Sequence, residues 1–200
     1  MKISLTPETL EAVFARKGFA WFVDDSRKFN LNLVGLRTAT RRANVFDDWF
    51  FCGYKYAGVW RYDVWAWTTD PGDPWLRQPM NPAGCAILCP GQYRATWQIG
   101  LHRRAYTALV QRQPVRVFRD GNRDTILDYN PATIDQGLFG INIHRNFERG
   151  AAEVVGKFSA GCQVAHQSRD FYLLMARAED AAAIYGNTFT YALLTEGDFL

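Results

Sequence analysis

The stretch "DDWFFCGYKYAGVWRYDVWAWTTD", residues 47–70, limits the folds open to this chain more than any other. Aromatic and β-branched side chains crowd it, and these suit the pleated, half-buried surface of a strand. Ala57-Gly58 breaks the run near its middle, and Gly adopts turn conformations at little steric cost. The stretch therefore predicts a β-hairpin. Trp60, Trp65 and Trp67 lie partly on both faces of its second strand, most of them bound for the core and one or two open to a ligand. Two hundred residues are enough to bury a substantial core around such a hairpin without disulfides or metals.

Thr6 is placed to cap a helix that has Pro7 first, Glu8 in its first turn and Gly18 at its stop. Leu10, Val13 and Phe14 form its apolar stripe. Strands are expected over 31–38, 85–89, 95–100, 137–144 and 187–194, and a further hairpin over 114–129 about Asp120-Gly121-Asn122. Residues 103–111 fit a helical turn or a strand. Residues 70–84 are rich in Pro and Gly and read as a loop of the length that often covers a site. Phe171, Leu174, Met175 and Ala178 have helical spacing within 168–186, with Ser168 as cap and Gly186 as stop. The reading is mainly β, of the α+β class: one compact catalytic domain over 1–200, with an appended N-terminal helix (1–20) and a late C-terminal helix.

Apolar residues at 48% and charged residues at 22% are ordinary for a globular domain. The formal charge of +3 is mild; it fits an anionic partner such as cell wall and does not call for nucleic acid. Glu8 and Glu11 interrupt the opening residues, so no export signal is expected there. No run of about eighteen apolar residues is present to span a membrane. Synthesis in the cytoplasm is the expectation, with Cys52, Cys85, Cys89 and Cys162 as free thiols. Cys85 and Cys89 precede His102, but Tyr106, Thr107 and Ala108 stand where a finger-type zinc site needs another His. The two cysteines read as core residues, and no metal or cofactor is expected. "DGNRD" (120–124) begins like a calcium loop, yet Thr125 and Pro131 replace the required Gly and acid. It reads as a turn.

The chemistry concentrates in "SAGCQV", Ser159 to Val164. Cys162 is either a small buried residue or a nucleophile. A cysteine nucleophile needs a base to form thiolate, and donors aimed at the acyl oxygen. His144 closes the predicted strand "GINIH" eighteen positions upstream, within reach of Cys162 through a loop. The amides of Gly161 and Cys162 are candidate donors. His102 and His166 are rival bases. Tyr93, Trp97, His102, Arg103 and Tyr106 combine aromatic rings with cations over 90–106, as a polar substrate groove would.

His144, a gap of fourteen residues, then Ser159-x-Gly161-Cys162 resembles the signature of the L,D-transpeptidase catalytic domain. That family consists of β-rich cysteine acyltransferases acting on peptidoglycan stem peptides. The resemblance implies Cys162 as nucleophile, His144 as base and the main-chain carbonyl of Arg145 as the group that orients the imidazole. It implies that Ser159 and Gly161 shape the turn and the oxyanion site. Two positions depart from the pattern. Ala160 stands where the family usually has His, and Gln163-Val164 where Ile/Val-Arg is usual. Arg103, Arg104, Arg119 and Arg145 are the candidates to replace that arginine.

The resemblance leads to a peptidoglycan-active cysteine peptidase that cleaves stem-peptide or cross-link amide bonds through a thioester on Cys162. Such an enzyme would be of phage-lysin or effector type, reaching the wall after lysis, release or non-classical secretion. Transpeptidation or amino-acid exchange on the same substrate is an alternative. A non-catalytic module that binds wall or virion is another.

Overall fold

The computed structural model describes residues 3–200. In chain order, α1 (Pro7–Lys17) precedes β1 (Asn32–Arg37), β2 (Asp48–Tyr56) and β3 (Val59–Thr68). A five-residue helix, α2 (Asp73–Arg77), leads to β4 (Cys85–Leu88), β5 (Gly91–His102), β6 (Tyr106–Gln111) and β7 (Val115–Asp120). The short strands β8 (Asp135–Gly137), β9 (Ile143–His144) and β10 (Gln163–Ala165) come before α3 (Ser168–Tyr185) and β11 (Phe189–Thr195). Eight strands close a barrel in the order β1-β11-β5-β6-β9-β10-β3-β2, and β4-β7-β8 form a separate sheet. Closure leaves the barrel without open edges. No helix among the described residues is long and apolar enough to cross a membrane. The chain is thus a β-rich α+β domain.

The aromatic hairpin forms as its composition demands. β2 and β3 pair antiparallel from Asp48↔Trp67 to Tyr56↔Val59, and both turn residues have left-handed φ, 50° at Ala57 and 78° at Gly58. Trp67, Phe50, Trp97 and Tyr191 are fully enclosed and belong to the cluster that fills the barrel. Phe171, Leu174, Met175 and Ala178 of α3 join the same cluster.

α1 starts with the expected cap: Thr6 Oγ1 accepts from the Thr9 N–H at 3.3 Å, and the Thr9 hydroxyl reciprocates at 3.0 Å. Leu10, Val13 and Phe14 pack on Val34, Leu36, Phe51, Ala192 and Leu194. Each buried side chain of this size is worth about 1.5–3 kcal/mol, so the helix is a wall of the domain rather than an appendage.

Several boundaries depart from expectation for identifiable reasons. The predicted hairpin over 114–129 is absent: β7 pairs with β4 and β8 instead. Asn122 Oδ1 accepts from the Asp124 N–H at 3.1 Å, Asp124 Oδ1 from Ile126 at 2.8 Å, and Asp120 Oδ2 from Asp128 at 3.0 Å. Side chains thereby capture N–H groups that a returning strand would need. The strand expected over 137–144 survives only as β9, because Gln111 Oε1 accepts from the N–H groups of Phe139 and Ile141 at 3.2 and 2.9 Å. Gly140, with φ 74°, turns the chain between them. Within 103–111 the chain turns at 103–105 and then forms β6, and β5 runs longer than 95–100. The loop 70–84 contains α2. Gln167, not Ser168, caps α3, and it does so without a side-chain bond.

Candidate active site

β9 and β10 lie side by side, parallel, with Gln163 opposite Ile143 and Val164 opposite His144. Cys162 immediately precedes β10 and His144 ends β9, so the thiol and the imidazole issue from neighbouring strand ends. The Gln163 N–H donates to the Asn142 carbonyl at 2.8 Å and holds the two segments together just where the thiol leaves the chain.

The imidazole of His144 is buried, and its state is readable from its partners. Nδ1 lies 2.6 Å from the main-chain oxygen of Arg145, which can only accept. Nδ1 therefore carries the proton, and Nε2 is left with its lone pair. Nε2 is buried with no hydrogen-bond partner. The Tyr106 hydroxyl stands 3.2 Å from Nδ1 and 3.3 Å from the Arg145 oxygen. With Nδ1 already a donor, that hydroxyl gives its proton to the carbonyl. Burial, reinforced by the neighbouring His102, pulls the His144 pKa down to about 3, so the ring is neutral across the physiological range.

His102 stacks on His144 with ring centroids 4.1 Å apart. The amide of Asn142 is oriented by the Gln111 N–H, which donates to Oδ1 at 2.9 Å, so Nδ2 donates to His102 Nδ1 at 3.0 Å. This fixes His102 as a neutral ring protonated on Nε2, and burial lowers its pKa to about 4. His102 thus reaches the site as a packing partner of His144. The other rival, His166, packs at a tilt against Phe46, ring centroids 5.1 Å apart, instead.

The thiol of Cys162 is half-buried and donates to the Gly140 carbonyl at 3.3 Å. No hydrogen bond joins it to His144. Burial raises its pKa above the usual thiol value, while a main-chain hydrogen bond from Asn142 and the charge of Arg103 act in the opposite direction. Thiol and imidazole are accordingly both neutral at rest, not a preformed thiolate and imidazolium. Catalytic contacts of this kind often tighten only when substrate binds.

Ser159 and Gly161 build the turn that presents the thiol. Ser159 is fully buried; its hydroxyl donates to the Cys162 carbonyl at 2.8 Å and accepts from the Gly161 N–H at 3.1 Å. Gly161 has φ 118°, and a Cβ there would lie 2.0 Å from the Ala86 carbonyl oxygen. The glycine is needed because the turn is pressed against β4. Its N–H is already taken, so the Cys162 N–H, without a partner among the described residues, is the donor left for an oxyanion.

The family departures have structural correlates. Gln163 points into the barrel, where its Oε1 accepts from the Tyr191 hydroxyl at 2.8 Å and its Nε2 donates to Thr69 O at 3.4 Å. Val164 is fully buried and supplies no cation. The Ala160 carbonyl accepts from the Cys85 thiol at 3.6 Å. Of the four candidate arginines, Arg119 is bound to Asp135 at 2.9 Å and to the Gly84 carbonyl at 3.3 Å. It lines a cleft of about 270 Å³ with Trp75, Cys85, Phe139 and Ala160. Arg103 and Arg145 line a smaller cleft of about 180 Å³ with His144 and Tyr106. Arg104 lies exposed in the β5–β6 turn.

Two residues expected in the substrate groove lie elsewhere. Trp97 is fully enclosed in the barrel with Nε1 donating to Ile141 O at 2.8 Å, and Tyr93 donates to Cys89 O at 2.7 Å. Both belong to the packing of β5. Tyr106, expected only as a groove residue, and Asn142, absent from the sequence-based site, prove to be the residues that lock the two histidines; only the pairing of β5, β6 and β9 brings them there. Comparison with protein-family models, curated proteins and solved structures returned no significant match.

Proposed function

We infer that the protein is a cysteine acyl enzyme acting on peptidoglycan, cleaving stem-peptide or cross-link amide bonds. The reading is carried by one arrangement: a half-buried thiol at the start of the strand that pairs with β9, whose last residue carries an imidazole with Nδ1 held by a main-chain carbonyl and Nε2 left without a partner. The wall substrate rests on the motif of His144, Ser159, Gly161 and Cys162.

In this mechanism Nε2 of His144 takes the thiol proton as Sγ attacks a peptide carbonyl. The negative charge forms on the carbonyl oxygen beside the Cys162 N–H. The C–N bond then breaks, and His144 returns the proton to the departing amine, leaving a thioester. Water, deprotonated by the same Nε2, attacks the thioester; the C–S bond breaks and the thiol is restored. An amine in place of water would give transpeptidation or exchange.

Mass spectrometry of muropeptides after digestion of purified wall tests the reading. New fragments with the wild type and none with Cys162→Ala are expected. Identical digests would refute it, and wall pulldown that survives Cys162→Ala would then indicate a binding module. Addition of a free D-amino acid separates the outcomes, since only exchange incorporates it.

A further inference from the structure

Residues 74–119 hold seven arginines and not one Asp, Glu or Lys. Average composition would place about six acids in a stretch of that length. The rest of the chain has twenty acids against sixteen cations. The mild net charge of +3 therefore conceals a cationic segment, running from α2 through β7, on an acidic remainder.

Folding leaves most of that charge uncompensated. β11 and β9, which flank β5 and β6 in the barrel, contain no acid either. Of the seven, Arg119 is paired with Asp135 of β8 at 2.9 Å, Arg103 lines the cleft beside His144, and Arg77 ends α2. Arg94, Arg104, Arg112 and Arg116 are exposed on β5–β7 and their connections. Among the described residues, no ion pair involves any of these four. The backbone ties their segments into one surface. The Arg112 N–H donates to the Thr96 carbonyl at 2.7 Å, two residues from Arg94, and the Tyr93 hydroxyl donates to the Arg116 carbonyl at 3.3 Å. Gly100 lets the Arg112 guanidinium lie close to β5, since a Cβ there would stand 3.1 Å from Nη2. Like charges gathered on one face repel one another unless an anion offsets them.

Spacing selects the kind of anion. Arg104 and Arg112 flank β6 at opposite ends, and a strand of that length spans about 20 Å. One small anion cannot meet both; an extended ligand charged at intervals can. Single-stranded nucleic acid binds through exposed aromatic platforms, but Trp97 is enclosed in the barrel and the Tyr106 ring lies under the Arg145 guanidinium at 4.0 Å. An anionic bilayer takes up apolar side chains beside the cations, and Leu101 is the one large apolar side chain exposed on β5–β7. We propose that Arg94, Arg104, Arg112 and Arg116 form a docking strip for a phosphate-bearing polymer attached to the cell wall, their guanidinium forks pairing with successive phosphates. Placing that polymer on the wall rests on the wall-active reading; the binding of an extended polyanion does not.

The test measures retention of Cys162→Ala protein, which leaves the wall intact, on purified wall carrying phosphate polymer and on the same wall after acid hydrolysis has stripped that polymer. Affinity for the unstripped wall is expected to exceed that for the stripped wall at least about tenfold, and to fall by a similar factor between about 50 and 200 mM salt. Arg94→Gln, Arg112→Gln and Arg116→Gln together should abolish the difference between the two walls, while Lys at the same three positions should keep most of it. Equal retention of the parent protein on both walls, which needs no arginine variant, would overturn the strip. So would a difference that survives the three Gln substitutions. Tighter binding to single-stranded DNA, or to phosphatidylglycerol vesicles, than to inorganic polyphosphate of matched charge would also overturn it. Polymer-dependent retention, with a wild type that leaves wall peptides uncut, would uphold the strip and reject the wall-hydrolase reading. Wall cleavage without polymer dependence would do the reverse.

Discussion

Nδ1 of His144 stands 2.6 Å from the main-chain oxygen of Arg145. A carbonyl can hold the imidazole in one tautomer but adds no negative charge to stabilise an imidazolium. The base therefore stays neutral and weak, with its pKa drawn down to about 3 by burial beside His102.

The rate profile should reflect this. The proposed reaction is expected to hold its kcat/KM from pH 7 down to about 5 and to lose it only as His144 takes a proton near pH 3 to 4. A steady-state series on a soluble stem-peptide substrate would measure it. An acid limb centred between pH 6 and 7 would mean that an ordinary, exposed histidine is the base. His144→Ala and Cys162→Ala should each reduce turnover by roughly 10²–10⁴-fold, the range associated with loss of a general base or nucleophile.

Thiol chemistry separates the four cysteines. Burial pushes Cys52 up to about 11 and Cys85 up to about 12, and Cys89 is also raised. Cys52, Cys85 and Cys89 are buried, whereas Cys162 is half-buried. Iodoacetamide should label Cys162 first, slowly near neutral pH and faster as pH rises. Arg103→Gln removes a charge that favours the thiolate and should slow that labelling. Peptide mapping after timed labelling decides it; first modification at Cys52 or Cys85 would contradict the burial pattern.

Gly161→Ala should be among the most damaging single changes. It places a Cβ 2.0 Å from the Ala86 oxygen at φ 118°, so the turn must leave β4. Ser159→Ala removes two buried hydrogen bonds, with an expected cost of about 1–3 kcal/mol. Denaturant unfolding of both variants should show a lowered midpoint, larger for Gly161→Ala. Unchanged stability for Gly161→Ala would indicate a turn free to shift.

Stability against pH should be nearly level through the mildly acidic range because two opposed effects meet there. His102 and His144 have depressed values, about 4 and about 3. They contribute fully above the ordinary histidine range, and that contribution is lost as pH falls through their folded values. Asp70 and Asp47 are raised, to about 7 and about 6, mainly by burial and with nearby carboxylates adding to it. Their contribution is complete below the ordinary carboxylate range and is lost as pH rises through 6 and 7. Asp70→Asn should therefore make stability climb more steeply from pH 5 to 7, and His102→Gln should flatten or reverse the climb. Unfolding midpoints at stepped pH read the slope, whatever each variant does to the absolute value. Slopes identical to wild type would reject these assignments.

Much of the fold was legible because local rules and the tertiary outcome agree. Alternation and turn chemistry mark β2–β3, and the capping box with its apolar stripe marks α1. Errors arose where side chains took over backbone partners: Asn122 and Asp124 undid a hairpin, and Gln111 cut a strand short. No local pattern announces such long-range or side-chain bonds. Of the site, Cys162 and His144 could be named from spacing, and the Arg145 carbonyl from the resemblance. Tyr106 could be named only as a groove residue and Asn142 not at all, since they lie 38 and 40 residues from the histidines they hold.

What the sequence by itself determined was the material of the molecule: a β-rich domain, two principal helices, and a thiol and an imidazole placed at neighbouring strand ends. The tertiary structure alone decided their condition. It stacked His102 on His144, turned Trp97 and Tyr93 from groove into core packing, and pressed Gly161 against β4. The physical reason is that composition and spacing act along the chain. Tautomer, desolvation and charge are set by neighbours that only barrel closure brings together.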